Sequence, residues 1–225
     1  FKFIAVISAL IALLFIVLLP PLPSQNTGSI KSIPELARNK ILMRVYVMII
    51  LIVTGHFICY TYIRPYLHEV VGVEPSTVVY ILFVYGITGV LGIFLAGKYM
   101  DRYLKVVLVS AVAALLACFA LLGLAAKLPL AVGVLIIWSI AMSALGLAMQ
   151  SWVLRLAPQA ADAAISVYSS LYNVGIGSGA LIGGLVVEHL STDHIGFISA
   201  AFLLPAILIL LSIHAKKESG EKQAE

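Results

Sequence analysis

Charged residues are scarce in this chain. They make up 11% of its 225 residues, whereas an ordinary soluble domain carries about 25%. Hydrophobic residues make up 62% of the chain, and they fall in long, nearly uninterrupted runs. This composition excludes an average soluble domain, because so little polar surface is available to face water. The shortage of charge therefore indicates a protein embedded in a membrane.

Cysteine is rare as well. The chain has only 2 cysteines, and both Cys59 and Cys118 lie inside apolar runs, where they read as small hydrophobic residues rather than as a disulfide framework. The sequence also contains no metal-ligand cluster, no nucleophile with its base and no phosphate-binding loop. We therefore predict that the protein is not an enzyme and that it needs neither a cofactor nor a metal ion.

Long apolar runs are what the chain has in abundance. A membrane crossing needs about 20 apolar residues, because the hydrocarbon core is about 30 Å thick and a helix rises 1.5 Å per residue. Each run must be helical, since lipid offers no partner to a free backbone N–H or C=O group. The predicted fold class is therefore an all-α, polytopic membrane protein. The predicted spans are residues 1–19, 45–66, 78–97, 106–126, 131–154, 164–187 and 195–214.

The few basic residues are distributed unevenly between the loops. If the loops alternate between two sides, eleven Lys and Arg residues lie on one side and three on the other. Cytoplasmic loops carry such an excess, so the first side, with the C-terminus, is predicted to be cytoplasmic. Because these residues are spread over several loops, the net charge of +4 does not indicate a nucleic-acid partner. The first side comprises Lys31, Arg38, Lys40, Arg44, Lys98, Arg102, Lys105, Arg155, Lys216, Lys217 and Lys222, and the other comprises Lys2, Arg64 and Lys127.

The spacing of the runs predicts one separate helix and a group of six. The helix at residues 1–19 is followed by a proline-rich cytoplasmic linker at residues 20–44. The six later runs follow one another closely and form a predicted transmembrane domain at residues 45–214, with a cytoplasmic tail at residues 215–225. The chain starts without Met and directly in an apolar run, so we expect it to be part of a longer protein.

One polar motif stands out on the predicted cytoplasmic side. Gly97, Asp101, Arg102 and Lys105 form a Gly-x-x-x-Asp-Arg-x-x-Lys pattern between the third and fourth runs. This spacing predicts a tight loop between two membrane helices. Asp101 can pair with a cation or cap a helix in one conformation and be released in another. The motif is therefore a candidate conformational loop.

Seven spans and an Asp101-Arg102-Tyr103 tripeptide also suggest a seven-helix receptor. The companion features of such receptors are absent from the sequence, which has no Cys near the outer end of the third run, no Asn-Pro-x-x-Tyr in the last run and no Lys in a span for a retinal Schiff base. That hypothesis also leaves Gly97 and Lys105 unexplained. We therefore do not favour a receptor.

The polar loop resembles the cytoplasmic loop motif of the major facilitator superfamily, in its copy between helices 8 and 9. A glycine motif adds to this resemblance, since Gly175, Gly179 and Gly183 recur every four residues and Gly184 follows. Small residues at this spacing let helices approach closely in lipid. The same segment resembles the Gly-Pro-x-x-Gly-Gly signature of antiporters in the superfamily, with Ala180 in place of the proline.

Longer stretches resemble bacterial sugar efflux transporters, in the drug:proton antiporter branch of the superfamily. These stretches are residues 55–65, 147–151 and 172–181. The resemblance covers essentially the whole chain, read as helices 6 to 12, and implies the second six-helix half of a major facilitator fold plus one preceding helix. It also implies a location in the bacterial inner membrane. The implied partners are a missing N-terminal six-helix half, a small-molecule substrate, protons and the lipid bilayer.

Polar and aromatic side chains within the spans are the candidate binding residues. His56 is also a candidate for proton coupling, because the unperturbed pKa of histidine is about 6.5. The alternative for His56 is a neutral side chain that hydrogen-bonds two helices. Amide and hydroxyl groups suit the hydroxyls of a sugar, and aromatic faces suit its C–H surface. The predicted substrate-binding residues are His56, Phe57, Tyr60, Ser143, Gln150 and Asn173.

The predicted function is proton-coupled secondary active export of sugars or similar small polar solutes by alternating access, with this chain as one half of the transporter. An exporter of drugs or nucleosides is the alternative within the same class. A membrane receptor or scaffold that transports nothing is the alternative from a different class.

Overall fold

A computed structural model describes residues 2–18, 33–124 and 127–221 of the chain, and these residues are almost entirely helical. Within them there is no β-strand, which confirms the predicted all-α fold class. Most of the linker predicted at residues 20–44 lies outside the described residues, but its last part is helical. The helices of six or more residues are α1 (Lys2–Leu18), α2 (Ile33–Arg38), α3 (Lys40–Thr61), α4 (Pro75–Leu122), α5 (Leu128–Leu156), α6 (Ala161–His189) and α7 (Ile195–Glu221).

Helix α4 is two membrane spans joined without a loop. Only Tyr103 leaves the helical region, with φ −126° and ψ 38°. A straight helix would separate Tyr85 from Phe119 by about 51 Å, yet the rings of both lie beside Trp138, with centroids 5.6 and 5.1 Å away. The chain therefore reverses direction at Tyr103, and α4 consists of two antiparallel arms, residues 75–102 and 104–122.

This reversal differs from the loop that the sequence predicts. Gly97, Asp101 and Arg102 remain helical, and so does Lys105 after the break. The physical reason is that continued helix satisfies the backbone N–H and C=O groups close to the hydrocarbon. The predicted conformational loop is thus the point at which the two arms of α4 meet.

The long apolar helices account for the predicted spans. Among the described residues, five helices are long and apolar enough to cross a membrane, and the apolar segment Phe3–Leu18 is shorter. One of the five is α4, whose 48 residues supply two crossings. The chain is therefore a multi-pass membrane protein with an all-helical fold.

Helix α3 lies at the centre of the bundle. It packs against α6 on one side and α7 on the other, and α4 packs against α5 and α7. The most deeply buried side chains include Trp138, Phe119, Met48 and Ile58. By contrast, every described side chain of α1 is exposed. The core that positions the site is therefore built by α3 to α7.

Hydrogen bonds fasten the two ends of this core. At one end, the Asn39 side chain accepts from the backbone N–H groups of Ile41 and Leu42, each at 3.1 Å, and donates to the carbonyl of Leu156 at 3.1 Å. We call this the basic end, because Lys40, Arg44, Lys98, Arg102, Lys105 and Arg155 belong to it. At the opposite end, the Tyr66 hydroxyl donates to the carbonyl of Leu122 at 2.6 Å.

Candidate functional site

Five aromatic side chains from three helices meet about halfway through the bundle. Tyr85 and Trp138 each lie about 15 Å along their helices from the first residue, at a rise of 1.5 Å per residue. Their rings contact those of α3, whose last two turns bring three side chains to the same level. We call this group the aromatic centre, and its members are His56, Phe57, Tyr60, Tyr85 and Trp138.

A buried hydrogen bond fixes the state of His56. The indole Nε1–H of Trp138 donates to Nδ1 of His56 at 2.9 Å, and His56 is only 5% exposed. An indole nitrogen can only donate, so Nδ1 accepts and carries no proton. The imidazole is therefore neutral in this arrangement, with its proton on Nε2. This geometry corresponds to the alternative of a histidine that bonds two helices, and proton coupling by His56 stays a prediction.

Tyr60 is the most accessible member of the aromatic centre, with 39% of its surface exposed. Its ring stacks on that of His56, with a centroid distance of 5.2 Å and an interplanar angle of 16°. The ring of Tyr85 lies 5.5 Å away on another helix. Because His56 is in turn fixed by Trp138, Tyr60 is held in one orientation. The aromatic centre thus presents a supported aromatic surface.

Asn173 lies on an exposed face of α6. Its Nδ2 donates to the carbonyl of Ser169 in the same helix at 2.8 Å, and its amide oxygen has no hydrogen-bond partner among the described residues. Ser170 and Ser166, about one and two turns earlier along the helix, are exposed as well. A polar amide at the middle of an apolar span is costly unless something polar meets it. The polar face of α6 is therefore available to a solute or to a further protein surface.

The remaining candidates on α5 lie apart from the aromatic centre. Ser143 faces α4, where its Oγ would be 2.8 Å from a Cβ placed on Gly89. Gln150 is exposed nearer the basic end. No hydrogen bond or ring contact among the described residues joins Ser143, Gln150 or Asn173 to the aromatic centre. The structure therefore brings together His56, Phe57 and Tyr60 and leaves the other three predicted binding residues separate.

The glycine motif of α6 lies against α3. A Cβ on Gly175 would come within 2.7 Å of the Val53 side chain, and one on Gly179 within 2.6 Å of the carbonyl oxygen of Thr54. A Cβ on Gly183 or Gly184 would meet Tyr62 at 2.8 or 2.7 Å. These distances are shorter than real Cβ contacts, so only glycine allows α6 to approach α3 this closely.

At the basic end, the loop motif makes one ion pair. Oδ1 of Asp101 lies 2.8 Å from Nη2 of Arg155, and both side chains are well exposed, at 82% and 43%. An exposed pair of this kind contributes at most about 1 kcal/mol in water, so it can form and break easily. It links the turn of α4 to the end of α5.

Three contributors to these sites were missed in the sequence. Tyr85 and Trp138 lie in apolar runs where an aromatic residue usually signals packing, and Arg155 was counted only as a cytoplasmic charge. The sequence predicted only the part of the membrane in which each of these residues lies. It could not predict their contacts, because these depend on how α4 and α5 pair.

Among the described residues, no group of three or more His, Cys, Asp or Glu side chains could hold a metal ion.

Comparison with known proteins relates the chain to one family and to curated relatives. Residues 1–164 match the profile of the Major Facilitator Superfamily. Over 211 residues the chain is 40% identical to a protein of Mannheimia succiniciproducens named "Probable sugar efflux transporter". The aligned part is 93% of this chain but 53% of that relative. The chain therefore spans about half the length of the curated relative that it matches.

Proposed function

Because this chain belongs to the Major Facilitator Superfamily, we propose that it forms one half of a proton-coupled exporter of sugars or similar small polar solutes. One relative is named "Probable sugar efflux transporter" and is about twice as long. We propose that residues 45–214 are the transmembrane domain of this half, and that a second six-helix half completes the path. The membrane is the bacterial inner membrane, with the basic end in the cytoplasm.

One observation carries the choice of solute: Tyr60 is exposed and yet rigidly supported. A sugar ring has an apolar C–H face, which packs on an aromatic ring, and hydroxyl groups, which need hydrogen-bond partners. Tyr60, whose ring stacks on that of His56, supplies the aromatic ring. Asn173 and Gln150, both exposed, supply amide groups at the surface where the second half would lie. Ser143 and Phe57 shape the surroundings from their half-buried positions.

In alternating access, an ion pair at the basic end would form in one conformation and break in another. The pair between Asp101 and Arg155 fastens the turn of α4 to α5 in the present arrangement. Since the pair is exposed and weak, another conformation can replace it with different partners. A transport cycle requires such a contact, because both halves must rock around a site between them. Gly97, Arg102 and Lys105 set the shape and charge of this junction.

Proton coupling is proposed to involve a carboxylate beyond the described residues. Proton relays in membranes commonly use Asp or Glu. Within the described spans, Asp101 and Asp162 lie near helix ends, and none of the acidic side chains lies at the level of the aromatic centre. We therefore propose that the principal carboxylate belongs to the second half, and that His56 modulates the site.

The test is transport by the whole transporter, this chain together with its second half, in liposomes with an imposed pH gradient. We expect proton-driven flux of a radiolabelled sugar, and a Tyr60→Ala variant with about tenfold weaker sugar affinity, or about 1.4 kcal/mol. Tyr60→Phe should retain most of the affinity, because the stacking face is kept. Tyr80→Ala is the matched control, since Tyr80 is a highly exposed tyrosine on α4 outside the aromatic centre.

Other results would overturn the proposal. Flux of a drug or nucleoside without any flux of sugars would move the protein to the alternative class of exporters. Saturable solute binding without flux would instead indicate a receptor. Equal effects of Tyr60→Ala and Tyr80→Ala would show that the aromatic centre is not the binding surface.

A further inference from the structure

A second cavity lies at the basic end, far from the aromatic centre. Its volume is about 710 Å³, and it opens between the start of α3, the turn of α4 and the ends of α5 and α7. Among the described residues that line it, five are cationic and one is a carboxylate. We call it the basic pocket, and its charged residues are Lys40, Arg44, Asp101, Arg102, Lys105 and Arg155.

Cations outnumber the carboxylate in the lining of the basic pocket. Asp101 pairs with Arg155 at 2.8 Å, and Lys40, Arg44 and Arg102 give the described lining a positive charge beyond this pair. Lys40 is the first residue of α3, and the first turn of that helix contains no acidic residue. The N-terminus of a helix carries a partial positive charge of its own, which favours an anion and disfavours a lysine. An anionic ligand would relieve both unfavourable features.

An apolar groove lies next to the basic pocket, toward the middle of the membrane. Its volume is about 760 Å³, and it runs between the two arms of α4 and helix α5. Ala141 and Ala144 of the groove lie on the same face of α5 as Trp152 and Arg155 of the pocket, within about 80° of one another at 100° per residue. On α5, the residues that line the groove and those that line the pocket therefore share one helix face.

The level of the pocket matches that of a lipid headgroup. Tyr99 and Tyr103 line the groove at its basic end, and both are half-exposed. Lys98 lies over the ring of Tyr99 at 5.5 Å, and Arg102 lies over the ring of Tyr103 at 5.3 Å. Exposed tyrosines with adjacent cations are typical of the boundary between hydrocarbon and headgroups.

From these observations we propose that the basic pocket and the groove together bind an anionic phospholipid. The phosphate lies among Lys40, Arg44 and Arg102, and an acyl chain follows the groove past Val106 and Ala144. A soluble phosphate would satisfy the charges equally well, but it has no apolar part that could occupy the groove. The ligand would join both arms of α4 to α3 and α5 at the place where α4 reverses.

The experiment measures lipid retained by the whole transporter, purified from nanodiscs that contain phosphatidylglycerol and phosphatidylcholine in equal amounts. Native mass spectrometry should show one phosphatidylglycerol in preference to phosphatidylcholine. Each basic residue near a membrane surface contributes to anionic-lipid binding, so Lys40→Gln and Arg44→Gln should each weaken retention about fivefold. Lys40→Arg and Arg44→Lys keep the charge and should retain the lipid, which separates lost binding from lost folding.

Two further variants and a competitor distinguish a bound lipid from a free phosphate and from a general loss of charge. Lys127→Gln removes a cation at the start of another helix, α5, at the opposite end, and it should leave retention unchanged. Ser110→Trp places a large side chain in the groove and should weaken retention of phosphatidylglycerol. Displacement of the lipid by millimolar inorganic phosphate would indicate a free-phosphate site and would overturn the proposal. Equal retention of both lipids, or equal losses in Lys40→Gln and Lys127→Gln, would overturn it too.

Discussion

His56 and Asn173 are both polar residues within apolar helices, but their surroundings are opposite. His56 is buried, accepts a hydrogen bond from Trp138 and supports the ring of Tyr60. Asn173 is exposed, and its side chain bonds only to its own helix. The surroundings of His56, which we call the buried region, are therefore complete within this chain. Asn173 lies in an exposed region, where it presents a polar group to a solute or to another protein surface.

The comparison separates two roles that a sequence pattern cannot separate. A buried polar group with its partner specifies how helices pair, and its loss costs stability. An exposed polar group in a membrane span costs energy until something polar meets it, so it indicates a cavity or an interface. In a transporter, the first kind of residue shapes the site and the second kind is free to contact the solute.

The largest effect on stability should come from a change in the distance between α3, which carries His56, and α6, which carries Asn173. Gly179 lies where α6 touches α3, and a Cβ there would meet the Thr54 carbonyl oxygen and Phe57, next to His56. We expect Gly179→Leu to destabilise the fold by about 3 kcal/mol or more, because the helices must move apart. Fluorescence-detected size-exclusion chromatography should show loss of the monodisperse protein.

Gly177→Leu is the control for this prediction. Gly177 lies on the same helix, and a Cβ there has nothing within 4 Å. This variant should elute as the wild type does. If Gly179→Leu also remains monodisperse and transports normally, then the contact between α3 and α6 does not set the distance between the aromatic centre and the polar face.

A second, smaller effect should distinguish the two regions by stability alone. Trp138→Phe removes the indole N–H and leaves Nδ1 of His56 buried without its donor, which costs about 1–3 kcal/mol. Asn173→Ala removes an exposed side chain whose bond stays within one helix, so it should change stability by less than about 0.5 kcal/mol. Thermal unfolding in detergent measures both.

A double variant sharpens this result. When both partners of a buried hydrogen bond are replaced by apolar groups, the cost can nearly vanish. His56→Leu combined with Trp138→Phe should therefore be more stable than the sum of the two single changes predicts. Strict additivity would contradict the assignment of this pair as a structural bond, and a large loss of stability in Asn173→Ala would remove the contrast between the regions.

Much of the fold follows from the sequence because the membrane imposes it. The need for backbone hydrogen bonds in lipid makes each apolar run helical, and the all-α fold class was predicted correctly. The sequence predicts the reversal between residues 97 and 106 as a tight loop, whereas the structure makes it with one non-helical residue, Tyr103. The motif could not show this difference, because helix can continue on both sides of such a residue. Likewise, the face on which Ser143 lies depends on α4, whose Gly89 approaches it.

The site was predictable only in part. Helical spacing groups His56 with Tyr60, which lie one turn apart on α3. The partners Trp138 and Arg155 come from another helix, and their contacts depend on packing that no local pattern encodes. Whether a polar residue is buried or open is likewise decided between helices, which is why His56 and Asn173 looked alike in the sequence.

The smallest expected effect concerns protons at His56. A proton that binds Nδ1 competes with the Trp138 N–H for the same lone pair, so protonation breaks the bond that supports Tyr60. Burial of a charge is costly, and the rings that face His56 are Phe57, Tyr60 and Trp138, none of which supplies a counter-charge. The response to pH should therefore be small, with sugar affinity weaker at pH 5.5 than at pH 8.5 by less than about threefold, over a range that brackets the ordinary histidine pKa.

His56→Gln isolates this contribution, because the Gln oxygen can still accept from Trp138 but cannot titrate in this range. We expect the variant to bind sugar nearly as well as the wild type at pH 8.5 and to lose the decline toward low pH. His56→Ala should instead bind weakly at every pH, since Tyr60 loses its support. Titrations of the whole transporter at four pH values decide between them. Parallel profiles for the wild type and His56→Gln would mean that His56 holds α3 to α5 and takes no part in proton coupling.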